Sequence, residues 1–270
     1  MSTKGVYTAL SGAMAQSLKM NTIANNIANV NTPGFKRDAQ VFQEYLTVNE
    51  KPPEIIAIPK DVASIESFYD MQGGDKSFVD AKGTFTEHSQ GSLKASGNPL
   101  DLAIDGAGFF EVATPAGVRY TRAGNFTMDG TGRLVTKEGH PVLAAGAGDP
   151  AAREIRFSGV GHVDISDDGL ISEGNNPLAR ISVVNAGDVH ALTKMGNALY
   201  APKPGQNPQI TSVVRPSMRQ GFVEQSNVNI VQEMTDMIAT QRVFESTQKA
   251  ISAYDSMNDK LVNVVGKTSA

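Results

Sequence analysis

Small and apolar side chains recur at Val6, Leu10, Ala13, Ser17, Met20, Ala24 and Ile27, with gaps of 4, 3, 4, 3, 4 and 3. That is the heptad spacing of a helix laying one stripe against a partner. The pattern predicts a helix over residues 3–31, with Ser2 or Thr3 as its N-cap. Its end is expected near Asn31, because Pro33 disfavours helix at the residue before it and Thr32-Pro33-Gly34-Phe35 reads as a turn. The C-terminal part repeats the spacing. Met237, Thr240, Phe244, Thr247, Ile251, Tyr254, Asn258, Leu261 and Val265 alternate gaps of 3 and 4, and Val243, Ala250, Met257 and Val264 add a second row. Asn229 with Gln232 three residues on is a capping-box start, so this helix is predicted from 230 to 265, ended by Gly266.

Between the helices the period changes from about 3.5 to 2. From residue 78 to 225, short runs of Val, Ile, Phe and Thr alternate with Gly, Asp and Asn turns. Phe126–Thr136 reads as two strand halves around a glycine-rich turn. Val163–Ser172 places Asp168-Gly169 between alternating halves, a hairpin signal. The fold class expected is therefore α+β: long N- and C-terminal heptad helices, pairing as a coiled coil, bracket a mainly antiparallel all-β domain. The division expected is a discontinuous helical domain of residues 1–35 and 226–270, an extended connector over 36–77 with Pro52, Pro53 and Pro59, and a β domain over 78–225.

Composition narrows the functions. Of 270 residues, 40% are hydrophobic and 19% charged, which suits an ordered chain. A net charge of −4 without a basic cluster argues against nucleic acid. The absence of cysteine removes disulfides, thiolate metal sites and a cysteine nucleophile. The first residues lack the continuous apolar core of a cleaved signal peptide, and no run reaches the ~18 apolar residues of a membrane span. A cytoplasmic chain, or one exported without a cleaved signal, is expected.

Candidate chemistry is sparse. His88, His140, His162 and His190 form no metal-protease spacing and read as surface or turn residues, and there is no nucleophile elbow. Asp164-x-Ser166-x-Asp168-Gly169 resembles half a calcium loop, but its twelfth position is Asn175 and its flanks read as strands. Gly266-Lys267-Thr268 lacks the upstream glycine of a phosphate loop. No catalytic residue, metal site, cofactor or small-molecule substrate is expected.

The asparagines are more informative. Asn21, Asn25 and Asn29 share a face beside the first heptad seam. Their amides suit either a solvated face or hydrogen bonds that fix the register of neighbouring helices. The expected assembly interface is Leu10, Ala13, Met20, Asn21, Ala24, Asn25, Ile27 and Asn29 on the first helix, with Met237, Phe244, Ile251, Tyr254 and Leu261 on the second.

Three stretches carry a resemblance. "IANNIANVNTPGFKR" (23–37) closely resembles the N-terminal signature of the flagellar axial proteins, the rod, hook and hook-associated subunits. The run from Asn98 to Leu143 resembles the central β motif of the rod and hook subgroup, and Gln220–Glu245 its C-terminal signature. Within the family, "VYTALSGA" and "MTDMIATQRVFE" look most like the proximal-rod subgroup, with the distal-rod subgroup next. The resemblance implies terminal helices packed in an inner tube with the β domain outside, unfolded export by the flagellar type III apparatus, and polymerisation into the basal-body rod that crosses the periplasm. It implies as partners other copies of the chain and other rod subunits, and no enzymatic activity. In the monomer the helices, lacking partners, are expected to be largely disordered. Rival readings are a hook subunit, a secreted β-domain binding module on a helical stalk, and a cell-wall enzyme built from acids such as Glu87, Asp105 and Glu111.

Overall fold

The computed structural model describes residues 4–47, 76–159, 161–174, 176–206 and 208–265. Helix α1 (Lys4–Ala28) comes first, followed by the strands β1 (Asp38–Thr47) and β2 (Lys76–Thr86), which pair as a ribbon. Then come β3 (Leu93–Ala95), β4 (Leu102–Ile104), β5 (Phe109–Thr114), β6 (Gly117–Thr121), β7 (Thr127–Met128) and β8 (Leu134–Val135). After a 3-10 turn at Pro150–Arg153 lie β9 (Val163–Ile165), β10 (Leu170–Glu173), β11 (Asn176–Arg180) and β12 (Val183–Ala186). A second 3-10 turn, Val189–Ala191, leads to β13 (Leu192–Gly196), β14 (Leu199–Pro202), β15 (Ile210–Ser212), β16 (Met218–Gln220) and β17 (Phe222–Glu224). Helix α2 (Ile230–Val265) closes the described chain. The class is α+β: among the described residues, two long helices flank a mainly antiparallel β region.

The chain divides into two compact units, one of Met1–Asn25, Ala39–Phe85 and Val231–Ala270, the other of Asn26–Asp38 and Thr86–Ile230. In the second unit, the largest sheet runs β13-β14-β6-β5-β12-β15, with antiparallel neighbours throughout. Strand β5 lies inside it, and Phe109–Val112 are buried without alternation, Glu111 included. Successive side chains point to opposite faces, so Phe110 and Val112 join one buried cluster with Leu102, Phe126 and Ile181, while Phe109 joins another with Tyr120, Leu192 and Tyr200. A strand buried on both faces carries an apolar run rather than alternation. The predicted hairpins form as β7–β8 and β9–β10, the latter turning at Gly169 with φ +82°.

Helix α1 ends at Ala28, three residues before the expected Asn31. The backbone N–H groups of Asn29, Val30 and Thr32 bond three residues back, to Asn26, Ile27 and Asn29, and this tightening unwinds the helix early. Helix α2 covers the predicted 230–265. Its polar residues are largely satisfied within it: the hydroxyls of Thr235, Thr240, Thr247 and Ser256 each donate to the carbonyl four residues back, at 2.7–2.9 Å. Thr240 and Thr247 therefore spend their donors on their own helix. The expected N-cap (Ser2 or Thr3), the terminating Gly266 and Asn175 lie outside the described residues.

Candidate assembly surfaces and the clasp at the helix roots

Each helix presents an apolar face to solvent. On α1, Tyr7, Leu10, Met14 and Leu18 follow at gaps of 3, 4 and 4 and are 45–62% exposed. On α2, Val231, Met234 and Ile238 do the same at 53–70% exposed. Stripes of large apolar side chains in water mark surfaces that something covers.

The residues expected at an interface divide by face. On α1, Ala13 is buried, Met20, Ile27 and Asn29 are half-buried, and Leu10, Asn21, Ala24 and Asn25 are exposed. On α2, Met237, Phe244 and Ile251 are half-buried on one seam that also holds the buried Glu233 and Thr240, whereas Tyr254 is exposed. Leu261 falls within α2, but its side chain lies outside the described residues. Of the second row, Val243, Ala250 and Met257 are exposed.

The asparagine with the clearest structural work is Asn26, which the every-fourth-residue pattern passes over. It is 1% exposed, and its amide bridges the turn in both directions: Nδ2 donates to the Asp38 carbonyl at 2.8 Å and Oδ1 accepts from the Asp38 N–H at 3.0 Å. It thereby ties the last turn of α1 to the first residue of β1. Asn29 accepts from the Thr32 hydroxyl at 3.1 Å, closing the turn between them. Gly34 follows with φ +68°, where a β-carbon would stand 2.3 Å from the backbone nitrogen of Ala123. Only glycine permits that approach.

This turn opens onto a buried polar clasp. The Lys36 ammonium donates to Glu224 Oε1 at 2.5 Å and to the Ser89 carbonyl at 2.7 Å. Arg122 reaches Glu224 Oε2 at 3.2 Å and the Gly106 carbonyl at 2.6 Å. The Gly91 N–H adds a third donor to Glu224, at 3.0 Å to Oε1. Burial pulls both Lys36 and Arg122 below their usual values, and the Glu224 carboxylate opposes that pull. Asn227 fastens the remaining strand, its Oδ1 accepting from the Arg37 N–H at 2.7 Å and its Nδ2 donating to the carbonyls of Glu87 and Ser89. Three segments, 34–38, 87–92 and 224–228, are joined just beyond the end of α1 and just before the start of α2.

Lys194 extends the clasp. Its ammonium donates to the Lys36 carbonyl and to Asp38 Oδ2, and lies 4.0 Å from the centre of the Phe35 ring. His88 sits alongside, ringed by Phe109, Tyr200 and His190 at centroid distances of 5.9, 5.5 and 6.3 Å. Sequence reading placed His88 among surface or turn histidines, and the structure corrects that. Its Nδ1 is buried without a hydrogen-bond partner, and burial, then the Lys36 charge, lowers its pKa from 6.5 to about 4. No motif surrounds it, so no sequence signal marks it out.

The acids weighed for catalysis are engaged elsewhere. Glu111 is held by Arg153 and by the Ser182 hydroxyl, Asp105 pairs with Arg219 at 2.8 Å, and Glu87 lies 3.7 Å from Arg37. In the calcium-like hairpin, Asp168 pairs with Arg180 at 2.8 Å, and no cluster of three metal-binding side chains occurs among the described residues. Nor is any described helix long and apolar enough to cross a membrane.

Comparison with known proteins follows the same three stretches. Residues 6–36 match the family model for the flagella basal body rod protein, 103–173 that for the flagellar hook protein FlgE/F/G D1 domain, and 219–264 that for the flagellar basal body rod FlgEFG protein C-terminal. The chain is 33% identical to the flagellar basal-body rod protein FlgF of Mesorhizobium japonicum, over 98% of each chain. It is 34% identical to the FlgF of Caulobacter vibrioides, over 97% of this chain and 98% of that one. It is 33% identical to the rod protein FlgG of Bacillus subtilis, again over 97% and 98%. The relatives named are rod proteins, with both FlgF and FlgG among them at 33–34% identity. With its two ends and its β region matched in order and a third of its residues shared along the full length, the chain belongs to the flagellar basal-body rod proteins, a structural and non-enzymatic family.

Proposed function

We propose that this rod subunit polymerises through its terminal helices, which pair as a coiled coil within an axial core of residues 1–35 and 226–270. The connector of residues 36–77 and the β domain of 78–225 lie outside that core. The observation that carries the proposal is the exposed stripe Tyr7, Leu10, Met14 and Leu18 on α1, matched by Val231, Met234 and Ile238 on α2. Apolar stripes on a lone subunit are covered when identical subunits meet head to tail, and a contact of that kind that does not close generates a helical filament.

The filament is the rod crossing the periplasm, a shaft carrying torque from motor to hook. Its partners are copies of the chain and neighbouring proximal and distal rod subunits, and the flagellar type III apparatus exports the chain without a cleaved signal. "VYTALSGA" and "MTDMIATQRVFE" favour the proximal subunit, FlgF, over FlgG. In the free monomer the helices are largely disordered. Ordering costs ~1–2 kcal/mol per residue of backbone entropy, which burial at the growing tip offsets.

The test is substitution of one interface residue at a time. Leu10→Asp or Phe244→Asp blocks rod assembly and motility in soft agar, while the purified variant keeps the β-sheet circular dichroism and melting of the parent. A motile strain carrying either variant overturns the proposal.

A further inference from the structure

The 87–92 segment is held through its backbone and through side chains, with Gln90 bridging the Ile104 carbonyl and the Gly106 N–H at 3.0 and 3.1 Å and the Ser92 hydroxyl donating to Gln225 at 3.0 Å. The Glu87 N–H donates to the Arg37 carbonyl at 2.8 Å, and the Ser92 carbonyl accepts from the Gln225 N–H at 2.9 Å. Asn227 Nδ2 takes the carbonyls on both sides of residue 88, at 2.9 and 3.2 Å. Within this span His88 is the side chain seated among the rings of Phe109 and Tyr200.

The surroundings suit a neutral ring and oppose a charged one. The titratable groups of positive type near it come from four elements: the cations Lys36 after α1, Arg122 after β6 and Lys194 on β13, and the imidazole of His190 on the 3-10 turn. The carboxylates of the cluster, Glu224 and Asp38, are already engaged. Glu224 accepts from Lys36, Arg122 and Gly91, and Asp38 from Lys194 and, at 2.6 Å, the Thr86 hydroxyl. An imidazolium at position 88 meets the charges of Lys36, Arg122 and Lys194, while Glu224 and Asp38 are engaged and the neighbouring Glu87 lies 3.7 Å from Arg37. Its buried Nδ1 has no hydrogen-bond partner among the described residues, so an N–H at that position has no acceptor to donate to.

We propose that His88 is an acid-sensitive latch: a proton taken up by its ring expels it from the Phe109–Tyr200 nest and frees residues 87–92 from the clasp at the helix roots. The inference stands on the clasp alone and does not depend on the assembly reading. Its sign follows from linkage. The seated ring binds its proton only near pH 4, whereas the expelled ring binds it near 6.5. Closure is therefore fully favoured above pH 6.5 and weakens as pH falls from 6.5 toward 4.

The experiment uses the full-length chain. Hydrogen exchange of a peptide covering 86–92, corrected for intrinsic rates, is compared at pH 7 and pH 4.5 in the parent, His88→Phe and His88→Gln. In parallel, the His88 ring protons are titrated by NMR in the parent. Expected are a loss of protection in the parent of roughly tenfold to a hundredfold, a smaller loss in the variants, and a ring that titrates well below the ordinary histidine range. The latch is overturned by a His88 that titrates at its ordinary value in the folded chain, or by variants whose protection falls with acid as much as the parent's. Should the Phe variant not fold, the Gln variant and the parent titration decide between these outcomes.

Discussion

Lys36 and Glu224 meet through a 2.5 Å hydrogen bond with both side chains only 1% exposed, although 188 positions separate them in the chain. One stands just past the end of α1 and the other in the last residue of β17, shortly before α2. Their pairing fixes where two distant parts of the chain leave the β-rich unit. Because Arg122 shares the same carboxylate, the group in the middle is the one whose loss costs most.

Glu224→Gln leaves two buried cations facing a neutral amide. Removing the shared partner from a buried ion pair costs about 3–5 kcal/mol, equivalent to a melting-temperature drop on the order of 10 °C for a domain of this size. Lys36→Met costs less, because Glu224 retains Arg122 and the Gly91 N–H. Urea unfolding of the two variants, followed by circular dichroism, measures the difference. Equal losses would show that the carboxylate is not the centre of the clasp.

Gly124 and Gly34 are packed against backbone. A β-carbon on Gly124 would stand 1.6 Å from the Leu102 carbonyl oxygen, and one on Gly34 2.3 Å from the Ala123 nitrogen. Neither neighbour can rotate away, so Gly124→Ala and Gly34→Ala each destabilise by several kcal/mol or prevent folding. Gly130 has nothing within 4 Å, and Gly130→Ala changes stability by less than about 0.5 kcal/mol. Thermal melts of the three variants separate the two classes.

The turn between β13 and β14 holds two consecutive residues in left-handed backbone, Asn197 at φ 50° and Ala198 at φ 54°. Two-residue hairpins of this kind favour Asn-Gly, and alanine at the second place is strained. Ala198→Gly relieves that strain against the entropy that glycine loses, for a net gain of about 0.5–1 kcal/mol. A melting temperature raised by about 1–4 °C is the expected reading, and a lowered one counts against the assignment of strain.

Limited proteolysis of the purified monomer reads out the order of the termini. If the helices fold only on assembly, trypsin removes both ends by cutting after Lys19 and Arg242, the basic residues nearest the clasp on the two helices. Mass spectrometry of the surviving fragments locates those cuts. Resistance of the intact chain would mean that the helices are already covered in the monomer.

The elements that could be read from the residues are those whose signal is local. Heptad spacing announced α1 and α2, and Asp168-Gly169 between alternating halves announced β9–β10, because period and turn chemistry act within a few residues. The end of α1 was misplaced by three residues, since its last turn is tightened by bonds that compete closely with helical ones. The asparagine row was read from spacing alone, which passed over Asn26: its burial depends on Asp38, and no periodicity reports that contact.

From residue order alone came the helical and strand periods, the absence of cysteine chemistry and the family likeness, all properties of neighbours along the chain. Folding in three dimensions settled which helix faces stay exposed, which carboxylate binds Lys36 and Arg122, and why the His88 ring takes up a proton only in acid well below the ordinary histidine range. Those outcomes depend on burial and on pairs far apart in sequence. A charge or an amide becomes costly only where water is excluded, and the whole chain must be in place before water is excluded there.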